Sequence, residues 1–243
     1  ALKADGASTV EFNNGDIIEF VGRKNRGAMD AELYYNSPQL NPYFSLFTDT
    51  TVYFLTWNNS TTNRRYTVTN DTTFSTYTLS TYFLNEEVFG GSQVYLPGKS
   101  DPNGITDPEY LADEGFYYYD VNYNTPVPFS LNSQFADPSG PPAVVRMRVG
   151  THSNDWNIGN DNDIRITYPT SVFDTIYDGF GVGTYSDTFP ATALGATTTP
   201  FTVENVNIFG SISSGRVALS WITLKYPHTF NMESRVFFRG FLP

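Results

Sequence analysis

A chain of 243 residues is long enough to bury one large β core or two smaller ones. Charged residues make up only 16%, against about a quarter in ordinary domains, and Thr, Ser, Asn, Tyr and Phe fill the gap, which excludes disorder through charge and favours strands. A net charge of −11 with scattered bases argues against nucleic acid and anionic membranes, and the lack of cysteine excludes disulfides, thiolate metal sites and a cysteine nucleophile.

In chain order, the start "ALKADG" has neither Met nor a charged-then-apolar leader, so a longer natural protein is expected. No apolar run is long enough to insert in a membrane. "DIIEFVG" (16–22) reads as a strand ending at glycine, and "TVYFLTW" (51–57) as a second, with Tyr53, Leu55 and Trp57 on one sheet face. The polar stretch "NNSTTNRR" (58–65) is the one plausible seam, dividing an N-terminal β portion (1–62) from a main sandwich (63–243). "FSTYTLSTYFL" (74–84) alternates hydroxyl and bulky residues, as a half-buried strand does. "TDPEYLADEG" (106–115) is the best helix, with Thr106 and Glu109 spaced as a capping box and Gly115 at its end.

The Pro- and Gly-rich "ADPSGPPA" (136–143) reads as a crossover loop. "AVVRMRVG" (143–150) sets Val145, Met147 and Val149 on one face and Arg146 and Arg148 on the other. "FTVENVNIFG" (201–210) and "RVALSWITLKYP" (216–227), joined by "SISSG", suggest a hairpin, with Trp221 on the core face beside Val217 and Leu219. Many short strands and little helix predict an all-β fold: a β-sandwich, jelly-roll-like, with the additional N-terminal β portion.

Candidate chemistry is sparse. His152, Ser153 and Asp155 permit a triad on paper, but triad members usually come from separate segments, and no G-x-S-x-G turn occurs. His228 reads as a loop or surface residue. Glu86-Glu87, Asp113-Glu114 and Asp161/Asp163 are local carboxylate pairs, not residues facing across a cleft. "NDWNIGNDNDIRI" (154–166) is the best metal candidate: Asp161 and Asp163, with Asn160 and Asn162, supply the oxygens that calcium prefers. The same residues also populate turns for their own backbone bonding. Trp156 and the cluster Tyr117, Tyr118 and Tyr119 are the candidate platform for stacking a surface glycan.

The order of residues adds a resemblance. "GDIIEFVGRKNRGAMDAELYYNSPQLNPYFSLFTDTTVYFLTWN", Asp16 to Trp57 at its heart, resembles a block preceding the catalytic domain of gingipain-type cysteine peptidases, above all the PorU-like members associated with type nine secretion. "DPEYLADEGFYY" (107–118) and the closing "RVALSWITLKYPHTFNMESRVFFRGFLP" (216–243) resemble later blocks of that family in the same order. His228 stands where the family usually has Arg, and "DEGF" is shorter than the family's acidic motif. The resemblance implies a secreted or cell-surface β-sandwich placed before a caspase-like peptidase domain, its partner in the same polypeptide. The catalytic Cys and His of the family belong to that later domain, so the chain itself is expected to be no enzyme and to hold no cofactor apart from the calcium option. The competing expectations are a glycan-binding or adhesion module and a hydrolase built on His152 or His228.

Overall fold

The computed structural model describes residues 2–3, 17–18, 20, 22–34, 38–56, 80–97, 110–118, 120–155, 157–206 and 216–231. The first strands along the chain are β1 (Leu2–Lys3), β2 (Ile17–Ile18), β3 (Tyr82–Gly90), β4 (Val94–Leu96), β5 (Gly115–Tyr117) and β6 (Asp120–Val121). They are followed by β7 (Val127–Asn132), β8 (Ala143–Thr151), β9 (Asn162–Tyr168), β10 (Ser171–Tyr177), β11 (Gly181–Phe189), β12 (Thr198–Asn205) and β13 (Val217–Thr229). The helical content of the described residues is two 3-10 turns, Ala28–Leu33 and Ala191–Ala193.

The chain divides into two compact units: residues 1–25 with 49–79, and residues 26–48 with 80–243. In the smaller unit β1 pairs antiparallel with β2, and the Tyr53 hydroxyl donates to the Arg23 carbonyl at 3.1 Å. The segment predicted as a strand at 51–57 forms none over its described part. Val52, Tyr53, Phe54 and Leu55 are all exposed, where the sequence suggested one filled sheet face; Trp57 lies outside the described residues. Four bulky residues in a row give no polar side to alternate with, and a strand needs a neighbour for its ladder.

The larger unit is a jelly roll. Its first sheet has the order β10-β9-β12-β7 and its second β11-β8-β13-β3, with every pairing antiparallel. Counting only these eight long strands in chain order, the sheets run 5-4-7-2 and 6-3-8-1, the double Greek key of a jelly roll. Inward-facing side chains alternate along each strand to make one core: Val145, Met147 and Val149 from β8, Ile164 and Ile166 from β9, Phe201 and Val203 from β12, Ile222, Leu224 and Tyr226 from β13. Phe89, Phe129 and Phe201 stack in a column at 5.0 and 5.5 Å between ring centres. Each fully buried side chain of this kind stabilises the fold by about 1.5–3 kcal/mol, so the core holds without disulfides.

The loop at 136–143 carries the chain from β7 in one sheet to β8 in the other, as its composition predicts. Two other expectations are corrected. β12 and β13 are no hairpin, since they lie in different sheets. The described part of 106–115 is no helix either: Tyr110 bridges to Tyr34, Ala112 and Asp113 turn, and Gly115, at φ +143°, opens β5. Its side chains are drawn onto the sheet beneath, which overrides a weak local propensity.

Candidate functional site

The outer face of the second sheet divides into a covered half and an open half, and a bulge in β13 sets the boundary. Between Leu219 and Trp221 the register with β8 shifts by one residue, leaving Ser220 as the extra. Its carbonyl accepts the Gly91 N–H at 2.6 Å, and its hydroxyl donates to the Phe116 carbonyl at 3.0 Å. The shift reverses the side-chain parity of the strand. Trp221, expected in the core, therefore faces outward, where its indole N–H donates to the Leu40 carbonyl at 3.0 Å and Tyr43 meets it edge-on at 5.4 Å.

Segment 26–48 closes over this point as a latch. Buried Asn41 donates through Nδ2 to the carbonyls of Gly91 (3.0 Å), Phe116 (3.3 Å) and Ser220 (3.4 Å), while its Oδ1 accepts the Tyr43 N–H. Tyr34, Leu40, Leu96, Tyr117 and Ala218 form a second, smaller core beneath it. Gly150 makes room for it, because a Cβ there would lie 2.6 Å from the Tyr117 hydroxyl. That hydroxyl donates to the Asp113 carbonyl at 2.8 Å, and burial raises its pKa well above the ordinary tyrosine value.

The face beside the latch is basic, with one arginine exposed and one buried. Arg146 and Arg148, two residues apart on β8, lie beside Thr223 and Trp221 of β13 on one side and Ser186 and Thr184 of β11 on the other. The exposed Arg146 guanidinium sits over the Trp221 ring, 6.0 Å from its centre. Arg148 is 7% exposed; it donates to the Thr184 hydroxyl at 2.6 Å, and its Nε has no hydrogen-bond partner. Burial pushes its pKa below the usual guanidinium value. Lys225 lies on the same face, opposite Glu86 of β3. The alternation of 143–150 signals the two arginines; nothing in the sequence signals Thr184 or Tyr43 as their neighbours.

The residues singled out in the sequence lie elsewhere. His152 and His228 are separated by roughly 36 Å of β13, eleven residues from Val217 opposite Thr151 to His228 itself. His228 is fully buried between Phe83 and Tyr226, correcting its reading as a surface residue, and His152 packs edge-on against Tyr117 at 4.7 Å. The Ser153 hydroxyl donates to Asn162 and accepts the Arg216 N–H, both at 2.8 Å, and Asp155 accepts the Asn157 N–H in a local turn. These groups hold loops together. A cavity of about 400 Å³ beside the Ala191–Ala193 turn is mainly apolar, and its one buried hydroxyl, on Ser133, is already bonded to Gly195.

Asp161 is a clamp and not a cation ligand. Its carboxylate accepts the Asp155 N–H and the Gly179 N–H, each at 2.7 Å, and the Asn162 amide at 2.9 Å. Donors aimed at both oxygens present positive charge where calcium would sit. Asp163 lies on the outer face of β9, 2% exposed, and its Oδ1 lacks a hydrogen bond. Burial, aided by the neighbouring Asp174, pushes its pKa up to about 7. Among the described residues no three metal-ligating side chains come together. The glycan platform is corrected in part: Tyr117 is wholly buried, and half-buried Tyr118 packs edge-on against Phe89 at 4.4 Å. Aromatic strand residues earn more from packing than from water. Trp156 and Tyr119 lie outside the described residues.

No family model matches the chain, and no curated protein does. Among solved structures it is similar to dimeric latent PorU from Porphyromonas gingivalis, at 10% identity and a TM-score of 0.47, over 64% of this chain and 14% of that one. It is also similar to the CBM36-1 domain of a multidomain xylanase from the hindgut metagenome of Trinervitermes trinervoides, at 13% identity and a TM-score of 0.30, over 58% of this chain and 96% of that one. A third is the exo-beta-1,3-galactanase of Phanerochaete chrysosporium, at 14% identity and a TM-score of 0.28, over 63% and 31% of the two chains. The relation to PorU is a distant structural one, and this chain spans a small fraction of that protein's length. Within the described residues no helix is long and apolar enough to cross a membrane.

Proposed function

We propose that the chain is a non-catalytic β-sandwich module of a larger secreted or cell-surface polypeptide, a gingipain-like peptidase, and that it serves the docking, folding or export of the peptidase domain. The observation that carries this reading is the use made of the "NPYF" stretch. Asn41 and Tyr43 do not line a reaction cleft; they latch segment 26–48 over the second sheet. The polar groups most suited to chemistry, on Ser153, Asp155 and Asp161, are likewise engaged in closing loops. A module whose reactive groups are consumed in this way acts through its surface.

The test is to express the natural polypeptide with and without this segment, and to mix the separate pieces. Loss of peptidase folding or secretion on deletion, together with association of the pieces in sedimentation, is the expected result. A natural polypeptide that lacks a caspase-like domain, or one whose secretion and activity survive the deletion unchanged, overturns the reading.

A further inference from the structure

We infer that the free edge of β11 is a docking strand for an acidic, extended polypeptide segment, which adds to the second sheet and sets its carboxylates against Arg148 and Arg146. The inference deepens the docking reading and rests on it for the idea that the module works by its surface.

The edge itself comes first. Among the described residues β11 pairs with β8 alone, and none of them forms a strand along the other side of its nine-residue backbone. Exposed edges are usually blunted by Lys, by Pro or by inward charge. Pro128 stands on the edge strand β7, and Glu86 and Glu87 on the edge strand β3. "GVGTYSDTF" has no Lys, Arg or Pro. Its one charge, Asp187, stands opposite Val145 and so on the inward side, where the Tyr168 hydroxyl and the Thr188 N–H engage it, and it is the single guard this edge carries.

Charge then selects the partner. Acidic residues outnumber basic ones 25 to 14 in this chain, yet neither Arg146 nor Arg148 has a carboxylate partner among the described residues. Arg165, on the outer face of the first sheet, does pair, with Asp174 at 2.8 Å. A guanidinium as buried as that of Arg148 is costly to hold without a counter-charge. It is also aimed: its bond to Thr184 directs it from β8 toward the β11 edge. Thr184 and Ser186, the β11 residues opposite the two arginines, are short, exposed hydroxyls, so the arginine side chains can reach over them. A strand added outside β11 would lie about 10 Å from the β8 backbone, two strand spacings away. Alternate residues of an extended segment recur about every 6.8 Å, the same spacing as Arg146 and Arg148. A polypeptide fits better than an acidic polysaccharide, because only a polypeptide offers alternating N–H and C=O groups to a strand edge.

The experiment uses a peptide of alternating Thr and Glu, its Thr-Gln counterpart, the Thr-Glu peptide N-methylated at alternate residues, and an oligogalacturonate of equal charge. Binding at low ionic strength is read by calorimetry, and amide exchange is followed along β11. The Thr-Glu peptide is expected to bind about tenfold more tightly than the Thr-Gln peptide and to slow exchange at the β11 amides. Arg146→Gln, at an exposed position that leaves the fold intact, should weaken it several-fold, and Arg148→Lys should do so with the melting temperature checked alongside. Equal binding of the Gln or N-methylated peptide, absence of β11 protection, or a tighter hold on oligogalacturonate overturns the proposal. These outcomes are independent of the deletion experiment: the edge can fail while the module still serves a peptidase, and the reverse.

Discussion

Asp163 shows how one side chain makes the fold sensitive to pH. Its carboxyl is held up to about 7, first by burial and then by Asp174, against about 3.9 for an unfolded aspartate. Between those two values the folded chain keeps a proton that the unfolded chain has lost, so stability falls as pH rises through that window. Asp163→Asn should therefore be nearly neutral at pH 4 and stabilising at pH 8, on the order of 1 kcal/mol after allowance for screening at a sheet face. Urea unfolding at the two values measures it; an equal effect at both would contradict the assignment. Residue identities were legible in the sequence here, and roles were not. "NDND" looks like a cation loop because its oxygens are visible in sequence, whereas the N–H groups that claim Asp161, from Asp155 in the same loop and from Gly179 beyond β10, are backbone donors that no residue type announces.

Among the elements, β13 and segment 26–48 depend on each other. The bulge at Ser220 turns Trp221 outward, and Asn41 closes the space that the bulge opens. Asn41→Ala should cost about 1–3 kcal/mol, since it strips a buried donor from the Gly91, Phe116 and Ser220 carbonyls. Thermal unfolding reads the loss, and faster hydrogen exchange at the Gly91 N–H locates it. Strand 143–150 was legible almost to the residue because strict alternation has one solution. The facing of Trp221 was not, because a bulge at serine leaves no mark in a hydrophobic pattern. Nor was the exposed run at 52–55, whose residue types promise a strand while the ladder that would make one depends on distant backbone.

For the molecule as a whole, composition alone pointed to the class: few charges, many aromatic and hydroxyl residues, and turn signals between short runs gave an all-β sandwich. The sheet orders were beyond it, because they depend on which strands meet across the chain, as in the placing of β12 and β13 in different sheets. A net charge of −11 keeps copies apart at neutral pH and vanishes near pH 4.5. Light scattering against pH should therefore show a solubility minimum close to that value, where the β11 edge loses its electrostatic protection from self-association. The latch has a consequence for biosynthesis. Asn41 and Leu40 leave the ribosome early, but their acceptor and donor on Ser220 and Trp221 follow 179 and 181 residues later. Segment 26–48 must wait, unfastened, until β13 has been translated.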